Sequence, residues 1–89
     1  MEVYVLAQVN VDAKNNEVES LILCVSPDSG KPREVLEERQ KSLRNYFEEN
    51  TKAYEESEYS EDDVSWEIWE KDHYASNHVL LRISQETVE

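Results

Sequence analysis

Glycine is almost absent from this sequence, and the only one, Gly30, is followed by Lys31 and Pro32. Loops that hold nucleotide phosphates need several glycines, because their backbone N–H groups must approach the phosphates closely. Pro32 has no backbone N–H and removes one of the donors that such a loop would use. We therefore expect no phosphate-binding loop.

Cysteine is equally scarce. Because Cys24 is the only one in the sequence, an internal disulfide and a multi-cysteine zinc site are both excluded. It lies in the apolar stretch 21–25, where a thiol stays protonated and unreactive. His73 and His78 are five residues apart around a predicted turn, but a zinc site needs three or four ligands. We predict no catalytic residues, no metal site and no cofactor, so the chain is not expected to be an enzyme.

Long hydrophobic runs are missing as well. No apolar stretch approaches the roughly 18 residues that mark a membrane-spanning helix, and no basic segment precedes an apolar one as in a secretory signal. A chain of 89 residues is too short for two separate cores. One domain over residues 1–89 and a cytoplasmic location are the expectations.

Positive charge is rare: nine Lys and Arg face 21 Asp and Glu, for a net charge of −12. Residues 48–63 hold eight acidic side chains and one basic side chain, so these sixteen residues contribute −7. A field of this sign repels nucleic-acid phosphates and anionic lipids. We predict no direct binding to nucleic acid or membrane, and a basic protein surface is the partner that the charge favours.

The first third of the chain predicts a β-hairpin. Residues 3–12 alternate between valine or alanine and other side chains, which is the period of a strand. Residues 13–16, with two asparagines that tolerate positive φ, predict a turn. Residues 18–26 contain the run LILCV, which is apolar on both faces and typical of a strand in the interior of a sheet or under two covering layers.

The middle of the chain predicts an amphipathic helix that starts near Pro32. Its apolar stripe, with Leu36, Leu43 and Phe47, is narrow and suits a helix lying on a sheet. If it continued to about Glu56 it would overhang a small sheet, so we expect a bend or break near Asn50.

Two more strands are predicted at residues 64–69 and 78–84, followed by a loose tail at residues 85–89. The predicted class is α+β, with two hairpins bridged by one long helix in the order β-β-α-β-β. The simplest packing is an antiparallel four-stranded sheet with the helix on one face.

An apolar surface is expected on the sheet face that the helix leaves uncovered. If Val3, Val5 and Val9 face the helix, the other face carries apolar side chains that an interface would use. Its predicted members, for a partner or a second copy, are Tyr4, Leu6, Leu21, Leu23, Trp69 and Leu80. The alternative is that the second half of the helix wraps round and covers part of this face.

The acidic run leaves two interpretations open. It is either a solubilising connector or an electrostatic surface whose carboxylates imitate the phosphates of a duplex, spaced about 1.7 Å apart along the axis. In the second case, the residues expected to bind a partner are Glu55, Glu56, Glu58, Glu61, Asp62 and Asp63.

In size, acidity and order of elements, the chain resembles small phage-encoded inhibitors of host nucleic-acid machinery. The resemblance is general, and no motif carries a residue across. It implies a non-catalytic module that binds a basic protein and mimics nucleic acid. A small structural subunit or homodimer is the main alternative, and a metal-binding module or enzyme using His73 and His78 is the weakest.

Overall fold

Five strands form one antiparallel sheet in the computed structural model, which describes residues 1–12, 15–57, 65–71 and 77–88. The elements are β1 (Glu2–Asp12), β2 (Glu17–Ser26), α1 (Gly30–Asn50), β3 (Tyr54–Glu56), β4 (Ser65–Glu70) and β5 (Asn77–Thr87). The strand order is β2-β1-β5-β4-β3, so β1 and β5 pair at the centre. The prediction of an α+β fold with one helix is confirmed, but the sheet has one strand more than expected.

The additional strand, β3, lies at the end of the stretch over which the sequence pattern would extend the helix to about Glu56. α1 ends at Asn50, and Thr51 takes an extended conformation (φ −129°, ψ 157°) while its N–H donates to the Phe47 carbonyl at 2.9 Å. The expected break is therefore confirmed. The chain then forms β3, in which Tyr54 pairs with Glu70 and Glu56 with Ile68.

The turn between β1 and β2 follows the chemistry expected of asparagine. Asn16 has a φ of 56°, in the left-handed region that asparagine tolerates. The Asp12 carboxylate accepts hydrogen bonds from the Asn15 N–H at 3.3 Å and from Asn15 Nδ2 at 2.8 Å. These contacts position the start of β2 beside β1.

Residues 85–87, part of the segment 85–89 for which a loose tail was predicted, belong to β5, and Glu89 lies outside the described residues. β5 continues to Thr87, which pairs with Glu2, while Gln85 pairs with Tyr4. Beyond the strand, the Val88 N–H donates to the Met1 carbonyl at 2.7 Å. Regular pairing with the long β1 strand explains the difference, since the sequence of residues 85–88 alone gives no apolar period.

The core lies between α1 and the sheet. Leu6, Ile68 and Leu81 are fully buried, and Phe47 and Trp66 are each 1% exposed. The cluster comprises Leu6, Leu36, Leu43, Phe47, Trp66, Ile68, Val79 and Leu81. Few helical side chains contribute, so large ones from the sheet must fill the space that the narrow helix stripe leaves.

The side of β1 that faces the helix was predicted wrongly. Leu6 pairs with Ile83 and Gln8 with Leu81, and residues paired across strands share a face. Because Leu81 belongs to the core, Leu6 also faces α1, and Val5, Val9 and Val11 face away. A strand's own alternation shows that it has two faces, while its register against β5 decides which one is covered.

Gln8 is the buried polar residue on the helix side, with an exposure of 3%. Arg39 Nε on α1 donates to Gln8 Oε1 at 2.7 Å, and Gln8 Nε2 donates to Asn10 Oδ1 at 2.7 Å. Both ends of the buried amide are therefore hydrogen-bonded. The contact with Arg39 also fixes the position of α1 over β1.

Candidate interaction surface

We call the sheet face opposite α1 the outer sheet face. The alternation of side chains along each strand and the register of each strand pair show which side chains lie on this face. It carries Val5, Ala7, Val9 and Val11 of β1, Val18, Ile22 and Val25 of β2, His78, Leu80 and Arg82 of β5, Glu67 and Trp69 of β4, and Glu55 of β3.

The β1–β2 half of this face is apolar and exposed at its margin. Ile22 is 71% exposed, Val18 69% and Val25 58%. The residues of β1 beside them, including Val5 and Val9, are half-buried by their neighbours in the sheet. Contiguous apolar surface of this kind usually marks a contact with another molecule.

The β4–β3 half of the face changes from apolar to aromatic and acidic. The Trp69 and His78 rings lie 5.9 Å apart between centroids, and His78 Nε2 is 2.8 Å from Glu67 Oε2. Glu55 pairs with Trp69 across the β3–β4 ladder, and its Oε1 is 3.0 Å from Lys71 Nζ. Trp69 is thus half-buried and held by neighbours, as a rigid aromatic contact residue would be.

Only part of the predicted apolar surface lies on this face. Trp69 and Leu80 do, as predicted. Leu6 belongs to the core, Leu23 packs against it, and Tyr4 and Leu21 share the helix side by alternation. The prediction failed for these four because it assigned the continuous valine row to the core.

The predicted acidic residues divide into two groups. Glu55 and Glu56 lie on β3 and form ion pairs. The other four, Glu58, Glu61, Asp62 and Asp63, lie outside the described residues. The described chain on either side of them ends at Ser57 and resumes at Ser65.

Ser57, the last described residue before this acidic segment, is held against β4 by two hydrogen bonds. The Ser57 N–H donates to the Glu67 carbonyl at 2.9 Å, and the Glu67 N–H donates to Ser57 Oγ at 2.9 Å. The segment therefore connects β3 to β4, two strands that belong to the acidic half of the outer sheet face. The strand β3 at the start of this connection was not predicted, because its three residues are too few to show the alternation of a strand.

Glu56 forms a bidentate ion pair with Arg44 of α1. Arg44 Nη2 donates to Glu56 Oε1 at 2.7 Å and Arg44 Nε donates to Oε2 at 2.8 Å. The guanidinium carbon also lies 5.4 Å from the centre of the Trp66 ring. The hydrogen bonds with Arg44 lower the pKa of Glu56 and raise the pKa of Arg44, against the opposing effect of burial. One of the predicted partner-binding acids is thus already neutralised within the chain.

The lowered pKa of Glu56 predicts a pH-dependent contribution to stability. Glu56→Gln is expected to reduce the free energy of unfolding at pH 7 by at most about 1 kcal/mol, since both partners are partly exposed. This contribution is complete above the ordinary glutamate pKa of 4.5 and is lost as pH falls through the lower folded value. Urea unfolding of both proteins across a pH series should show their difference closing in acid.

Glu37→Gln on the exposed side of α1 provides the matched control and should change little at any pH. A difference between wild type and Glu56→Gln that persists unchanged in strong acid would contradict the assignment to this ion pair.

A cleft of about 370 Å³ lies on the helix side, between the second half of α1 and the β1–β2 hairpin. Its lining includes Asp12, Glu17 and Glu19 together with Tyr46 and Phe47. The cleft was not predicted, because its lining residues are far apart in the chain. Gln8, a polar residue within an alternating strand, also lines the cleft and was the one available signal.

The described residues show no arrangement for metal or thiol chemistry. They contain no group of three or more His, Cys, Asp or Glu side chains suited to a metal ion. His78 contacts Glu67, Cys24 is half-buried against the core, and His73 lies outside the described residues. No helix in the described part of the chain has the length and apolarity needed to cross a membrane.

Comparison with protein-family models, curated proteins and solved structures found no match for this chain. The fold, the outer sheet face and the distribution of charge are therefore the features that bear on function.

Proposed function

We propose that this chain is a non-catalytic interaction module that binds a basic surface of a partner protein. The observation that carries the proposal is the gradient across the outer sheet face. Valine and isoleucine on β1 and β2 give way to Trp69, His78 and Glu67, beside the origin of the acidic β3–β4 connection. Specific protein interfaces combine apolar and aromatic side chains with charged ones, as this face does.

The apolar half of the face would supply most of the binding energy. Burial of apolar surface contributes roughly 25 cal/mol per Å². Ile22, Val18 and Val25 are all more than half exposed, so a partner would remove much apolar area from water. Trp69 adds a large aromatic side chain, the residue type most often responsible for interface affinity.

The acidic charge would select and orient the partner. Sixteen residues that carry −7 produce a strong local field, and such fields accelerate encounter with basic surfaces and exclude acidic ones. A protein groove that normally holds nucleic acid has the complementary charge. We therefore propose a nucleic-acid-handling protein as the partner and occupation of its groove as the mode of inhibition.

The test is affinity capture from the lysate of the native host at low and high salt. The wild-type chain should retain a basic protein that salt releases and that a DNA duplex competes away. A variant carrying Glu61→Gln, Asp62→Asn and Asp63→Asn should lose most of this protein, because the local charge falls by three. A matched variant carrying Glu34→Gln, Glu37→Gln and Glu38→Gln on α1 has the same net charge and should retain it.

Two results would count against the proposal. Equal loss in both triple variants would mean that total charge acts without a defined surface, so the acidic run would only increase solubility. Retention of the same partner by all three proteins at every salt concentration would remove the electrostatic component altogether.

A further inference from the structure

The β2 strand lies at one edge of the sheet, at the opposite end from β3. Within the described part of the chain it pairs with β1 only, so its backbone N–H and C=O groups directed away from β1 are available to another strand. Pairing with β1 is regular from Glu17 to Ile22. Leu23 is then the extra residue of a bulge, because Ile22 and Cys24 pair with consecutive residues of β1. We call residues 17–22, which precede the bulge, the edge segment.

The two sides of the edge segment differ in chemistry. Register and alternation place Glu17 and Glu19 on the helix side of the sheet, and both side chains line the cleft beside α1. Val18 and Ile22 lie on the outer sheet face, where they are 69% and 71% exposed. Acidic side chains on one side and apolar side chains on the other therefore alternate along this edge.

The acidic side of the edge segment lacks a cation of its own. No ion pair between described residues includes Glu17 or Glu19. Among the described residues that line the cleft, none is a lysine or an arginine. Opposite charges directly across a strand pair stabilise it, whereas like charges destabilise it. The helix side of this edge thus favours basic side chains in an added strand and disfavours acidic ones.

We propose that the edge segment binds an extended protein segment of alternating basic and apolar residues as an additional strand. The backbone of that segment would hydrogen-bond to the free side of β2. Its basic side chains would lie beside Glu17 and Glu19, and its apolar side chains would extend the outer sheet face beside Val18 and Ile22. Charge complementarity selects this occupant over a second copy of the chain, which carries a net charge of −12.

The bound segment would add one strand to the five of the sheet, next to β2. This site is at the other end of the sheet from the acidic β3–β4 connection. The inference goes beyond the proposed function and does not depend on it, because it is tested on the isolated chain with synthetic peptides.

The test is calorimetric titration of the wild-type chain with the peptide TVKVKVT, blocked at both termini. The peptide reads the same in both directions, so its lysines can face Glu17 and Glu19 in a parallel or an antiparallel strand. Two control peptides separate charge from pattern: TVEVEVT reverses the charge, and TKKVVVT keeps the composition but breaks the alternation. The wild-type chain should bind TVKVKVT about tenfold or more tightly than either control.

Two double variants of the chain locate the site. Glu17→Lys with Glu19→Lys should weaken binding of TVKVKVT by about tenfold or more, because both cross-strand pairs become repulsive. Glu37→Lys with Glu38→Lys, at exposed positions of α1, has the same net charge and should bind as wild type does. Physiological salt, with a screening length of about 8 Å, limits the effect of distant charges. Circular dichroism checks the folding of both variants.

Amide hydrogen exchange reports the strand pairing itself. Bound TVKVKVT should slow exchange of those edge-segment amides that are directed away from β1, whereas charge attraction without pairing would not protect them. Equal binding of TVKVKVT and TKKVVVT, equal affinities of the two double variants, or unchanged exchange would each overturn the proposal. A wild-type dimer formed without peptide and lost in Glu17→Lys with Glu19→Lys would assign the edge to a second copy and overturn it too.

Discussion

Leu6→Asp is expected to unfold most of the protein at 25 °C, whereas Val25→Asp on the neighbouring strand should leave the fold intact. Leu6 is completely buried between the sheet and α1, while Val25 is 58% exposed on the outer sheet face. The two substitutions introduce the same charge on adjacent strands and differ mainly in which face of the sheet receives it.

The magnitude follows from the cost of burying an unpaired carboxylate. Substitutions of this type in a core lie at the upper end of measured effects, about 4–5 kcal/mol or more. A domain of 89 residues has a total stability of about 4–13 kcal/mol, so Leu6→Asp removes a large share of it or all of it. Val25→Asp should cost less than about 1 kcal/mol, since its carboxylate stays in water.

Urea unfolding followed by tryptophan fluorescence measures both effects, because Trp66 is in the core and reports its loss. Similar destabilisation by the two substitutions would mean that the two faces of the sheet are equally covered. Tolerance of Leu6→Asp with unfolding of Val25→Asp would mean that the faces are assigned in reverse.

Strand and helix positions in this chain were predictable because local periods are strong. The first hairpin, the helix around Leu36, Leu43 and Phe47, and the core face of Trp66 and Ile68 all follow from spacing within one element. The end of the helix at Asn50 was also predictable, since a helix continuing to about Glu56 would overhang a small sheet. These features depend on neighbours in sequence.

The features that were not predictable depend on pairing between distant strands. β3 is three residues long and exists because β4 offers it a partner. The face of β1 depends on its register with β5, which neither strand encodes alone. The alternating valines resembled a core face, but the narrow helix packs against larger side chains, and Leu6 supplies one.

The candidate surface shows the same division. Trp69 and its neighbour Leu80 were placed on the uncovered face correctly, because β4 and β5 each have a clear period. The contribution of Val18 and Ile22 was missed, because β2 is apolar on both sides and its orientation follows only from β1. The ion pair that neutralises Glu56 joins residues twelve positions apart on different elements and left no signal in the sequence.

Trp69→Ala is expected to weaken binding of the proposed partner by about 30-fold, or about 2 kcal/mol. Trp69 is the largest side chain on the outer sheet face and is half-buried against His78. A partner seated on this face would cover its exposed part, so truncation to alanine removes aromatic area from the contact. The fold should survive, because Trp69 lies outside the core cluster that contains Trp66.

The control is Tyr46→Ala, which truncates an exposed aromatic residue on the opposite side of the molecule. Tyr46 is 52% exposed on α1, and no contact with the partner is expected there. Circular dichroism and thermal unfolding of both variants separate effects on binding from effects on folding.

The central claim is that the outer sheet face is the surface that binds a partner, and one measurement tests it most directly. The dissociation constant of the captured partner is determined by calorimetry for wild type, Trp69→Ala and Tyr46→Ala under the same salt conditions. A loss of affinity near 30-fold for Trp69→Ala with none for Tyr46→Ala is the result that we predict. Unchanged affinity for a folded Trp69→Ala, or an equal loss for Tyr46→Ala, would contradict the claim.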